Sequence, residues 1–210
     1  DGIALPDRPA VGAALVAGAT ENLTPVVNRI PPFRAGTPKR WGAHNPQAEK
    51  WVIGSRWLQP IVLPKRGFPR VLPLQVVRVA DRVLVGLPFE AAVESGRRVA
   101  AAVVDALSGA GQSAAAPTVV VSSVVNDYWG YVATAEEYAR QFYEGGHTLY
   151  GPNTQGFVAA HAARLATARP SDPSPTIPTV TSRISVASSG CQVRSRWSSR
   201  SWGRRRMMAR

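Results

Sequence analysis

The chain of 210 residues holds one cysteine, Cys191, and three histidines, His44, His147 and His161. A lone cysteine excludes an intrachain disulfide and a thiolate zinc site, so any metal would need oxygen or nitrogen donors. The histidines show no spacing that would set two of them on one ion. No run of 18 or more apolar residues occurs, which excludes a membrane-spanning helix in this stretch of sequence. The chain starts with neither an initiator methionine nor a signal peptide, as expected of a portion of a larger domain.

Acidic residues are missing where basic ones are dense. The net charge is +12, but residues 183–210 carry eight arginines and no acid, leaving 17 basic against 13 acidic residues elsewhere. The surplus is therefore local and does not describe the rest of the chain. This stretch is rich in Ser and Arg, with Trp197 and Trp202 but no apolar period, and it cannot bury enough surface to offset its chain entropy. Disorder is expected over residues 183–210, after a Pro-rich linker at 169–182. The composition fits an out-of-register reading frame better than it fits a binding segment. The rival function is a basic protein that uses this tail on nucleic acid or a membrane surface.

The apolar share is 45%, enough for one sizeable core. Residues 1–58 hold Gly, Pro and scattered Trp without a period, which predicts irregular structure; Pro31-Pro32 and Gly36-Thr37-Pro38 mark loops. Val71 to Leu87, interrupted at Ala80-Asp81-Arg82, reads as two strands with a tight turn, and Val83 to Leu87 as buried on both faces. Glu94 to Leu107 sets Val99, Ala102, Val103, Ala106 and Leu107 on one helical face, with Gly109 and Gly111 beyond. Thr118 to Val125 is a further strand. Thr134 with Glu137 forms a capping box opening a helix to about Glu144, ended by Gly145-Gly146, and Asn153 or Thr154 caps a helix to about Ala168. Alternating strands and helices predict an α/β fold, a mixed sheet with flanking helices, over residues 59–168.

One segment stands apart. Asn126 to Pro152, NDYWGYVATAEEYARQFYEGGHTLYGP, contains all five tyrosines of the chain, with three glutamates and His147. Its order, N-x-Y-x-x-Y-x-x-T-x-E-E-Y-x-x-Q-x-Y-E-G-x-x-T-L-Y-G-P, resembles the neutral, non-lysosomal ceramidases. Leu72 to Val103, with its P-x-E turn and Gly96-Arg97-Arg98, and Gln59 to Pro64, QPIVLP, resemble the same family. The resemblance implies a zinc-dependent amidohydrolase that cleaves ceramide to sphingosine and a fatty acid, secreted or periplasmic, working near a membrane surface and not on nucleic acid. This chain would be the C-terminal portion of the catalytic domain, with two histidine ligands and a serine lying outside it.

Carried over by motif, Glu90 of the P-x-E turn would be a zinc ligand; read alone, it could equally pair with Arg97 or Arg98. Tyr131, the second tyrosine of N-x-Y-x-x-Y, would also bind zinc. A phenol ionises near pH 10 and needs a close cation to do so at neutral pH, and read alone the ring packs while its hydroxyl bonds the backbone. Tyr143 would donate a hydrogen bond to the amide carbonyl and stabilise a developing oxyanion; otherwise it is a core residue beside Tyr138 and Phe142. Phe89 replaces a small residue of the family next to Glu90, and His147 another, which puts substrate fit in question.

Overall fold

The computed structural model describes residues 3–6, 8–40, 45–54, 61, 68, 71–111 and 117–168, together with the backbone of 179–185 and 192–196. His44, Cys191, the tail tryptophans and all of Gln59 to Pro64 except Ile61 lie outside the described residues. Strands β1 (Val71–Val79) and β2 (Arg82–Gly86) form an antiparallel hairpin whose turn is made by Ala80, at φ 53°, and Asp81. Strand β4 (Thr118–Ser122) pairs parallel to β2 after the crossover helix α2 (Val93–Gly109). A two-residue strand β3 (Glu90–Ala91) lies between β2 and α2, outside this sheet. Mixed pairing with helices against the sheet is the expected α/β architecture.

The core forms where one face of the sheet meets α2 and the later helix α5 (Thr154–Thr167). Leu72, Leu74 and Val76 of β1 and Val83 and Val85 of β2 alternate inward against Val99, Val103 and Leu107 of α2 and Phe157, Ala162 and Leu165 of α5. Each fully buried large apolar side chain contributes about 1.5–3 kcal/mol. Strand β2 differs from expectation: Leu84 is 44% exposed, because among the described residues the helices cover only one face. A period-2 strand packed on one side must turn alternate residues outward. Among the described residues no helix is long and apolar enough to cross a membrane.

Part of the stretch read as linker and structureless tail is strand. Strand β6 (Thr179–Ser185) pairs antiparallel with β1, and β7 (Gln192–Arg196) with β6, giving the order β4-β2-β1-β6-β7. Thr179, Val180, Thr181 and Ile184 are β-branched, and β1 would otherwise leave an unpaired edge. The excess of arginine and serine hid that pattern.

The capping box forms as read. Thr134 Oγ1 accepts from the Glu137 amide and Glu137 Oε2 accepts from the Thr134 amide, opening α3 (Ala135–Arg140). The helix then stops at Gln141, in the left-handed region at φ 52°, and restarts as α4 (Tyr143–His147). Gly145 and Gly146 lie within α4 instead of ending it. Their purpose is close approach: a β-carbon on Gly146 would lie 2.8 Å from the Leu15 amide nitrogen, and one on Gly12 would lie 2.8 Å from Gly146 Cα. The Gly12 amide donates to Gly146 O at 2.8 Å, fixing the short helix α1 (Ala14–Ala17) on α4.

Gly146→Ala weighs two effects against each other. Helix propensity favours alanine by about 1 kcal/mol, while a clash with backbone costs about 1–3 kcal/mol. The clash wins because backbone cannot rotate away, so the variant should unfold at lower denaturant with an unchanged m-value; equal or higher stability would contradict the contact.

Candidate functional site

Residues 87–92 and 122–132 run side by side. Leu87 N donates to Ser122 O at 2.9 Å, Val125 N to Leu87 O at 2.8 Å, Val124 N to Phe89 O at 2.9 Å and Trp129 N to Pro88 O at 2.8 Å. Val124 and Asn126 take positive φ, 56° and 65°, within this bonded run. A β-branched residue in the left-handed region is strained, and its neighbours hold it there. The run ends in strand β5 (Tyr131–Val132), which pairs parallel with β3 and sets Glu90 opposite Tyr131.

Both side chains are half-buried, and the strand pairing brings the Glu90 carboxylate near the Tyr131 phenol. Burial, and after it Glu90, holds the Tyr131 phenol protonated well above its ordinary range. Tyr128 Oη donates to Glu90 Oε2 at 3.4 Å, and burial followed by the Glu90 charge raises its pKa as well. Tyr143 sets its ring edge-on to Tyr131, with centroids 5.7 Å apart. His147 touches all three tyrosine rings at 5.7–6.3 Å. Its Nδ1 is buried and has no hydrogen-bond partner among the described residues. Burial first, and then the charge of Lys50, lowers the His147 pKa, with Glu90 opposing.

The alternative readings separate on these contacts. Arg98 bonds Glu94 at 3.1 Å and Glu136 at 3.0 Å, and Arg97 approaches Glu94 at 3.8 Å, so neither arginine neutralises Glu90. The Glu90 carboxylate acts on the Tyr131 phenol, as expected from their places on paired strands. Tyr143 leaves the core to Tyr138, which is fully buried with its hydroxyl donating to Gln47 O at 2.8 Å. Phe89 belongs to the core: it is 1% exposed, with its ring edge-on to Tyr150 at 6.1 Å.

A buried polar brace lies behind the cluster and had no signal in the sequence, being an isolated Gln and Lys in an irregular stretch. Lys50 is 1% exposed, and its Nζ donates to Ala10 O at 3.0 Å and Thr148 O at 2.6 Å and lies 4.9 Å from the Tyr138 ring centre. Gln47 Nε2 donates to Arg8 O at 3.0 Å and Leu149 O at 3.1 Å. These bonds tie residues 8–50 to the turn that carries His147.

Sequence and structural comparisons fit this arrangement. Residues 8–159 match the family model described as neutral/alkaline non-lysosomal ceramidase, N-terminal. The chain belongs to this family. Over 194 residues it is 33% identical to the neutral ceramidase of Pseudomonas aeruginosa, covering 88% of this chain and 27% of that protein. Neutral ceramidase A of Dictyostelium discoideum is 40% identical over 106 residues, 50% of this chain and 14% of that protein. A solved structure, a ceramidase complexed with C2, superposes with a TM-score of 0.58 at 34% identity over 81% of this chain and 28% of that chain. The crystal structure of the Pseudomonas aeruginosa neutral ceramidase gives a TM-score of 0.51 at 32% identity, over 81% of this chain and 26% of that one. The chain thus spans no more than about a quarter of these relatives' length.

The donor chemistry of the cluster fits a divalent cation in part. A carboxylate and a phenol on paired strands are two oxygen donors, and the charge of a cation between them would favour the phenolate. Two donors are not a full shell, since a catalytic zinc site takes about three protein ligands. Among the described residues no group of three or more His, Cys, Asp or Glu could hold a metal ion.

Burial lowers the Lys50 pKa well below its ordinary 10.5. Between the folded and unfolded values the unfolded chain binds the extra proton, so this group's contribution to stability rises with pH up to 10.5 and is smallest below the folded value. The stability of the wild type relative to Lys50→Met should therefore rise as pH rises from neutral to about 10, tyrosine titration being common to both. A difference that stays flat across that range would contradict the burial.

Proposed function

We propose that this chain supplies one side of the active site of a zinc-dependent amidohydrolase that cleaves the N-acyl amide of ceramide to sphingosine and a fatty acid. The observation that carries this reading is the strand pairing that sets Glu90 opposite Tyr131, with Tyr143 edge-on to the Tyr131 ring. The names of the family and of its characterised members support the substrate.

Glu90 and Tyr131 would hold the zinc, which when bound supplies a Lewis acid and a water of lowered pKa. Hydrolysis adds the water oxygen to the acyl carbon, breaks the carbon–nitrogen bond and leaves a proton on the departing sphingosine nitrogen. Negative charge develops on the carbonyl oxygen, and Tyr143, half-buried beside Tyr131, is the donor for it. One such donor accounts for about 10²–10³ in rate. Membrane-resident ceramide implies that the site opens toward a lipid surface.

With two of about three ligands, the isolated chain should bind zinc weakly and turn over little or no ceramide. Zinc content after dialysis and release of fatty acid from ceramide are the measurements. Robust turnover by this chain would refute the partial-site reading, and zinc binding indifferent to Glu90→Gln would refute the donor assignment.

A further inference from the structure

We propose that Tyr128 is a positioning residue that fixes the orientation of the Glu90 carboxylate for a divalent cation; this rests on the reading of Glu90 and Tyr131 as the donors. Glu90 stands on a strand of two residues, and its carboxylate can turn about its terminal bonds unless something holds an oxygen. The Tyr128 hydroxyl holds Oε2, at 3.4 Å. Packing does not account for Tyr128, because the residue is 42% exposed.

The backbone around it is set for this contact. Trp129 N bonds Pro88 O at 2.8 Å, the Tyr128 amide donates to Asp127 Oδ1 at 2.9 Å, and the strained Val124 and Asn126 precede it. The ring rests edge-on against His147 at 6.0 Å, which limits its rotation. Tyr128 and Tyr131 thus approach one carboxylate from a single extended segment, the first by a side-chain hydrogen bond to a named oxygen and the second from the paired strand. Groups that orient a ligand in this way change metal affinity about 10- to 100-fold when removed.

The test is a zinc titration of the full chain against a chromophoric chelator, with the ultraviolet difference band of tyrosinate recorded in parallel. Tyr128→Phe should weaken zinc about 10- to 100-fold, keep the tyrosinate band at saturating zinc and leave the denaturation midpoint unchanged. Tyr131→Phe should abolish the band, and Glu90→Gln should abolish zinc binding. If Tyr128→Phe binds zinc within about twofold of wild type while Glu90→Gln loses it, the positioning role is wrong and the donor assignment survives. If Tyr128→Phe loses the band, Tyr128 is itself a ligand and the positioning role is again wrong. If Glu90→Gln binds zinc normally, both readings fall together.

Discussion

The parallel pairing of Glu90–Ala91 with Tyr131–Val132 is the constraint on which the rest of the site depends. Two residues on each side make a ladder too short to persist alone, since short isolated strand pairs are marginal in water. It persists because it ends a longer bonded run, in which the amides of Leu87, Val124, Val125 and Trp129 each find a carbonyl across the gap. That run begins at the C-terminal ends of β2 and β4, both anchored in the main sheet. The carboxylate and the phenol are therefore carried on rigid backbone at the sheet edge, where open α/β sheets commonly place their ligands.

The tyrosine cluster needs a second support, because its far wall, His147, sits on a helix of five residues. Such a helix has little stability of its own. Contact with Gly12 and the lysine brace through Thr148 hold it in place. Burying an ammonium group is costly unless its protons are used, and here two carbonyls and an aromatic face take them. Arg8 to Gly12, Gln47 and Lys50 are thus a clamp on the site, and Gly12 permits the backbone contact with Gly146 that makes the clamp close.

Much of the architecture was legible because its signals are local. The β1–β2 hairpin, the α2 face, the capping box at Thr134 and the helix from Thr154 each follow from spacing of a few residues. The departures have non-local causes. Gly145 and Gly146 read as a helix stop, but Gly146 serves a contact with residues 12–15, more than 130 positions away in the chain, and Gly145 lies against the Tyr138 backbone. Val83 to Leu87 read as doubly buried, yet only one helical layer covers the sheet among the described residues. Strands β6 and β7 were hidden by composition; an open edge on β1 gives them a partner.

By itself the sequence determined the types of the main elements between Val71 and Ala168, the exclusion of an intrachain disulfide, the family resemblance and the candidates Glu90, Tyr131 and Tyr143. Periodicity, caps and motif order are written in neighbouring residues, so they survive without coordinates. Only the tertiary structure decided that Glu90 pairs with Tyr131 and not with Arg97 or Arg98, that Phe89 is buried in the core, that Tyr128 and His147 join the cluster, and that Lys50 lies buried behind it. Each of those depends on where separate stretches of chain come to lie, and local spacing carries no record of a neighbour brought in by folding.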